Sequence, residues 1–168
     1  MSSAIPFDKI EIGIDQALKN STRFLEDSIL LFENQRYQSA ILLAMLSYEE
    51  SGKTLMLLNY KKNEIELTQT QWKKKVCVHT KKNLEILKQL WSDAGIQPKI
   101  PLHEEYLSKF QQEWKNIFTY VDYDFTNLKW TSPMSPKSFN IDSLKSFSKS
   151  AIDQAIKALE SVTKQVKR

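Results

Sequence analysis

The run Leu25-Glu26-Asp27-Ser28-Ile29-Leu30-Leu31-Phe32-Glu33-Asn34-Gln35-Arg36-Tyr37-Gln38-Ser39-Ala40-Ile41-Leu42-Leu43-Ala44-Met45-Leu46 decides the fold. Both halves are apolar at helical rather than alternating spacing, and only Asn34 to Arg36 interrupts them. Upstream, Ile10, Ile14, Ala17, Phe24 and Leu31 mark one side, with Leu18, Leu25 and Phe32 beside them, so a single amphipathic helix covers about 10–32. A second helix opens after Arg36 and runs over about 37–61. So short a connection makes the two antiparallel neighbours. The second helix is apolar all round: Ile41, Ala44, Tyr48 and Leu55 cover one side, and Leu42, Leu43, Leu46 and Leu57 the other. A helix of that kind belongs in the centre of a domain or in a subunit interface.

Downstream, Thr68 or Thr70 is placed to cap a third helix reaching about Ala94, with Trp72, Val76, His79, Asn83, Ile86, Leu87 and Leu90 as its stripe. Gly95, then Pro98 and Pro101, terminate it. A fourth helix is expected over about 102–120 from Tyr106, Phe110, Trp114, Ile117 and Phe118. Then the pattern fails. Asp122, Asp124, Asn127, Pro133 and Pro136 make about 121–140 one long ordered loop, with a short hairpin that brings Tyr123 and Trp130 together. A last helix, Ile141 to about Val166, carries Leu144, Phe147, Ala151, Ile152, Ala155, Ile156, Leu159 and Val162. The expectation is an all-α bundle of about five helices forming one domain over 1–168. Only 3 Gly and 5 Pro in 168 residues leave few turns for a sheet, which agrees.

The first fifteen residues lack a basic segment followed by an apolar run, and no stretch is apolar enough to span a bilayer, so a cytoplasmic protein without membrane contact is expected. The lone Cys77 excludes an internal disulfide framework and a Cys-rich zinc site, and is expected to be a small buried hydrophobe. A net charge of +4 says little about partners. Its distribution says more: Lys73, Lys74, Lys75, Lys81, Lys82 and Lys88 face a single acid, Glu85. That stretch reads as a phosphate-binding surface or as a solvated helix face.

Two places carry possible chemistry. Glu49, Glu50 and Lys53 sit in a sector of the second helix that also holds leucines, and a buried unpaired carboxylate costs several kcal/mol, so partners are expected within the bundle or across a dimer seam. Glu49 and Lys53 have the order and spacing of an intrahelical pair. Gly52, which costs about 1 kcal/mol relative to Ala inside a helix, implies the close approach of another backbone. These residues read equally as an ion-pair network that fixes helix register or as part of a reactive centre. His79 lies on the stripe of the third helix between Lys75 and Lys82, beside Asn83. There it is either a satisfied core residue or a general base near neutral pH. His103, next to Glu104 and Glu105, reads as a capping or surface residue. Ser51-Gly52-Lys53-Thr54 imitates the end of a nucleotide-binding loop but lacks the upstream glycine and lies mid-helix, so it binds no nucleotide.

The helix-turn-helix run, continued through Leu43-Ala44-Met45-Leu46-Ser47-Tyr48-Glu49-Glu50-Ser51-Gly52-Lys53, resembles the pattern of the AbiV family of bacterial abortive-infection proteins, in the HEPN group. In that family two helices meet at an N-x-R/K-Y turn and the second carries A-x-x-x-x-E-E-x-G-K. Trp72 with His79-x-x-Lys82 is similar to the family's tryptophan and H-x-x-K element. Tyr120-Val121-Asp122-Tyr123, then Trp130 and Pro133, is similar to its later loop. The resemblance spans about Ile14 to Leu159. It implies a HEPN-like bundle, commonly a homodimer, acting in phage defence by stopping gene expression, often at translation. Many HEPN relatives are metal-independent ribonucleases that use an Arg, four to six intervening residues, then His. Here Arg23, Arg36 and Arg168 do not precede a histidine at that spacing, whereas Lys74 with His79 has the spacing but supplies a point charge in place of a planar fork.

Two expectations from different classes follow, beside the plain reading of a HEPN-like accessory helical domain with no activity of its own. In the first, an RNA-cleaving toxin without metal or cofactor uses His79 as base and Lys75 or Lys82 to stabilise the phosphate, with Glu49, Glu50 and Lys53 in the same pocket and Lys73, Lys74 and Lys81 on the RNA. In the second, a non-catalytic protein is triggered by a phage-encoded partner through Tyr123 and Trp130 and sequesters a translation component, either RNA or ribosome-associated protein.

Overall fold

A computed structural model describes residues 4–97 and 140–167, together with the backbone of 122–124 and 129–131. The described chain is an all-α bundle. Its elements are β1 (Ala4–Ile5), α1 (Phe7–Glu33), α2 (Tyr37–Lys62), β2 (Leu67–Thr68), the short α3 (Gln69–Gln71) running into a π-helical turn (Trp72–Val76), α4 (His79–Asp93), β3 (Asp122–Asp124), β4 (Lys129–Thr131) and α5 (Ile141–Val166). The expected fourth helix at 102–120, His103 and most of the 121–140 loop lie outside the described residues.

The α1–α2 turn forms where the sequence places it. Gln35 takes a left-handed conformation (φ 60°), the Arg36 amide donates to the Leu31 carbonyl at 2.8 Å and the Gln35 amide to that of Phe32 at 3.0 Å. This is the two-bond motif that closes many helices, with Gln where Gly is usual. Asn34 adds a side-chain bond from Nδ2 to the Leu30 carbonyl at 2.8 Å. The same pair of bonds ends α2 around Glu64 and α4 around Gly95.

Helix α2 is central, packing against α1, α4 and α5. Its apolar ring is divided among three clusters. Met56, Leu57 and Tyr60 join Ile10, Ile14, Leu67 and Val76; Tyr48 and Leu55 join Ile86, Ala158 and Val162; Ala44 joins Leu25, Ile152 and Ala155. Pairing of β1 with β2, Ile5 opposite Leu67, ties the N-terminus to the first cluster. Helix α5 begins at the cap formed by Asn140, whose Oδ1 accepts from the Ser143 amide at 2.7 Å. In β3–β4 the backbone register puts Tyr123 opposite Trp130, the hairpin that the loop composition implies. Among the described residues no helix is long and apolar enough to cross a membrane.

The third helix departs from expectation. Thr68 and Gln71 form a full capping box, so a helix does start there, but it widens into the π turn, stops at Cys77 and restarts at His79 behind an extended Val78 (φ −85°, ψ 116°). The Cys77 amide reaches back to the Trp72 carbonyl at 3.0 Å, the five-residue span of a π turn. β-Branched Val76 and Val78 flank the stop, and burial of Val76 in the first cluster holds the turn in place. The interruption also carries Cys77 to the surface, against the expected buried thiol.

Candidate functional site

The restart at His79 matters because of what α4 then meets. A Cβ on Gly52 would lie 2.1 Å from the Lys82 carbonyl oxygen and 2.7 Å from its carbon, so only glycine lets the first turn of α4 lie against α2. The close backbone approach inferred from Gly52 is therefore present. Glu49 stands one turn before Gly52 on α2, and His79 and Lys82 share a face of α4's first turn. Contact at the glycine thus brings both α4 side chains onto the Glu49 carboxylate.

His79 Nδ1 is 2.6 Å from Glu49 Oε2, and Lys82 Nζ lies 3.6 Å from the same oxygen. The side chains of Glu49 and Lys82 are only 4% and 6% exposed, whereas that of His79 is 47% exposed. An ionised carboxylate only accepts, so Nδ1 is the donor in this bond. A buried carboxylate, balanced by a buried ammonium, therefore orients a half-exposed imidazole. That is the arrangement of a positioned general base.

The other predicted residues are distributed around this centre. Lys53 does not pair with Glu49: it holds Glu50 through both carboxylate oxygens, at 2.5 and 2.8 Å. The reason is competition, since Glu49 is already taken across the helix seam. Glu50 is turned about 100° round the helix from it, and its side chain is 12% exposed against 4% for Glu49. Lys75 lies on the π turn with Nζ 5.9 Å over the Tyr60 ring. Lys73 and Lys74 are exposed on the same turn, and Lys81 donates to the Lys74 carbonyl at 2.7 Å, closing the interruption. Lys82, read beforehand as a cation for phosphate, is instead buried against Glu49. Cations on α3–α4 thus divide between holding the fold and facing solvent. Of Tyr123 and Trp130 only the backbone register is described.

Two features escape the sequence reading. A cleft of about 380 Å³ opens between α2, α4 and α5, beside the charged cluster, with Glu49 and Asn83 among its lining residues. Asn83 is buried, and its Oδ1 has no hydrogen-bond partner among the described residues. An Asn on an apolar stripe was the available signal. The second feature is a hydroxyl seam between α1 and α2. Ser21 Oγ donates to the Ser47 carbonyl at 2.9 Å and lies 2.8 Å from Ser51 Oγ, Ser47 Oγ donates to the Ser21 carbonyl at 2.8 Å, and Ser28 Oγ donates to the Ala40 carbonyl at 2.7 Å. Serines spaced seven apart on α1 and four apart on α2 foretell this seam.

In comparison with known proteins, the family model described as AbiV, of HEPN type, fits residues 9–152, most of the chain. No curated protein and no solved structure matches the chain.

Proposed function

Because this chain belongs to the AbiV family of HEPN-type proteins, we propose that it acts in the cytoplasm in abortive phage infection and stops translation by cutting RNA at the Glu49–His79 pair. The observation that carries this reading is the 2.6 Å contact between the buried Glu49 carboxylate and Nδ1 of a half-exposed imidazole. In the reaction, His79 Nε2 takes the proton of a ribose 2′-hydroxyl, and the oxygen attacks the adjacent phosphorus. The bond to the 5′-oxygen breaks, leaving a 2′,3′-cyclic phosphate and, after protonation, a free 5′-hydroxyl. No metal takes part. Glu49 holds the ring and stabilises the imidazolium that forms, and the buried Lys82 ammonium lies beside that carboxylate. Exposed Lys73, Lys74 and Lys75 meet the phosphates, in place of the arginine that other HEPN ribonucleases use. Tyr123 and Trp130, opposed in the β3–β4 ribbon, are the surface for a phage-encoded trigger, and the working form is a homodimer.

The test is His79→Asn, which keeps an N–H able to reach Glu49 but has no basic atom. Purified wild type, incubated with tRNA, rRNA and mRNA in extract from infected cells, should release fragments ending in cyclic phosphate. The variant should cut ~10²–10⁴-fold more slowly, the usual contribution of a general base, with an unchanged unfolding midpoint. If wild-type protein halts protein synthesis while every RNA class stays intact, the cleavage reading fails. A phage or ribosome-associated partner recovered with it would then leave the non-catalytic alternative standing.

A further inference from the structure

The cleft next to Glu49 has a composition that selects its occupant. Tyr48, Leu87, Leu90, Trp91 and Phe147 give it apolar and aromatic walls, and the polar residues among its lining include Glu49 and Asn83. Its volume of about 380 Å³ lies within the range of small-ligand sites. A buried carbonyl oxygen without a donor forfeits roughly 1–3 kcal/mol, so the Asn83 position is unfavourable for the empty fold and favourable for a ligand that brings an N–H. No cationic side chain is among the described lining residues, so the interior offers a phosphate or a fatty-acid carboxylate no partner. The suitable occupant is flat, uncharged and apolar on its faces, with an amino or imino edge.

We propose that this cleft receives one unstacked base of single-stranded RNA and that Asn83 reads its edge, making Asn83 a specificity-determining residue. The proposal rests on the reading of Glu49 and His79 as an RNA-cutting pair and adds the sequence preference of that site. Position supports it. Asn83 lies one helical turn beyond His79 on the same face of α4, at a Cβ separation of about 5–6 Å. That separation is comparable to the span from a base's edge to its own 2′-hydroxyl. A base held by Asn83 therefore brings its ribose toward the imidazole, and the phosphates stay outside with the lysines of the π turn. Side-chain amides pair with base edges through donor and acceptor together, and aromatic walls accept any base face, so the walls give affinity and the amide gives choice.

The experiment measures binding of four short homo-oligoribonucleotides, A, C, G and U, to the full chain at one fixed salt concentration by fluorescence anisotropy. Wild type should prefer one base over the poorest by about tenfold, the scale of one good amide-to-base pairing. Asn83→Leu should abolish the preference and unfold at an equal or higher temperature, because it removes an unsatisfied polar group. Leu87→Trp, which narrows the cleft without touching the amide, should reduce the favoured oligonucleotide to the level of the others. Equal affinities for all four in wild type, or a preference that survives in both variants, would overturn the proposal. The His79→Asn variant separates the two readings. If it loses cutting and keeps base preference, both stand; base preference in a wild type that never cuts would sustain the cleft and remove the nuclease.

Discussion

Helix α2 meets α1 and α4 by opposite means. Toward α1 it presents Ser47 and Ser51, which interlock with Ser21 through uncharged hydroxyls, each fully buried and each with a partner inside the seam. Toward α4 it presents Glu49 and the bare backbone of Gly52, and it receives Lys82 and His79. The hydroxyl seam is closed: every group that needs a partner finds one, and nothing leads to solvent. In the charged seam the imidazole is half-exposed, whereas Glu49 and Lys82 are buried. Burying a carboxylate and an ammonium adds little stability over a well-packed apolar pair of similar volume. A seam needed for packing alone is served by serines. The contrast is what the proposed chemistry at Glu49 and His79 requires: residue types on the α2–α4 side that packing alone does not call for.

The largest effect that tests this contrast is Glu49→Leu. It leaves the Lys82 ammonium buried without its carboxylate and should cost about 3–5 kcal/mol in denaturant unfolding. Adding Lys82→Met should recover most of that loss while RNA cutting stays absent, because the ring has lost its orienting partner. A single variant within 1 kcal/mol of wild type would mean that the charges do not answer each other across the seam, and the opposition of the two sides would dissolve.

Gly52→Ala comes next. Alanine is the better helix former by about 1 kcal/mol, yet its Cβ would meet the Lys82 carbonyl at 2.1 Å, and a backbone atom cannot swing aside. The helix α4 must move, with a net loss of about 2 kcal/mol and a fall in RNA cutting, since the same contact aligns His79. Calorimetry on the purified variant, with the cutting assay beside it, checks both. A variant more stable than wild type would show that the approach at Gly52 is not a constraint.

How much of this was readable beforehand follows from range. The α1–α2 turn is encoded within Asn34 to Tyr37, and α2's apolar circumference announces a central helix, so both are legible from local pattern. Gly52 was legible as a close approach because glycine inside a helix has few other uses. The partner of Glu49 was not. Lys53 satisfies the local pairing rule, but His79 and Lys82 arrive through the tertiary contact at Gly52, and no sequence spacing expresses that. The break before His79 was also hidden: Thr68 to Ala94 carries helical spacing throughout, and what stops the helix is burial of Val76 among residues of α1 and α2. Asn83 is legible as a stripe member, while the missing partner of its Oδ1 among the described residues is a property of the packed state alone.

Ser21→Ala is the smallest change and the cleanest control. A hydroxyl has one proton, so with Ser21 donating to the Ser47 carbonyl, the Ser51 hydroxyl is the donor in the 2.8 Å contact between their oxygens. Alanine at 21 strands that Ser51 proton and removes one bond from the Ser47 carbonyl, whereas Ser47 Oγ still reaches the residue-21 backbone carbonyl. The expected loss is about 1–2 kcal/mol, seen as a lower denaturant midpoint with an unchanged slope. RNA cutting and base preference should be untouched, because α2 itself separates this seam from Glu49. If Ser21→Ala lowered cutting as far as Gly52→Ala does, the two faces of α2 would be one coupled unit, and the hydroxyl seam would belong to the site.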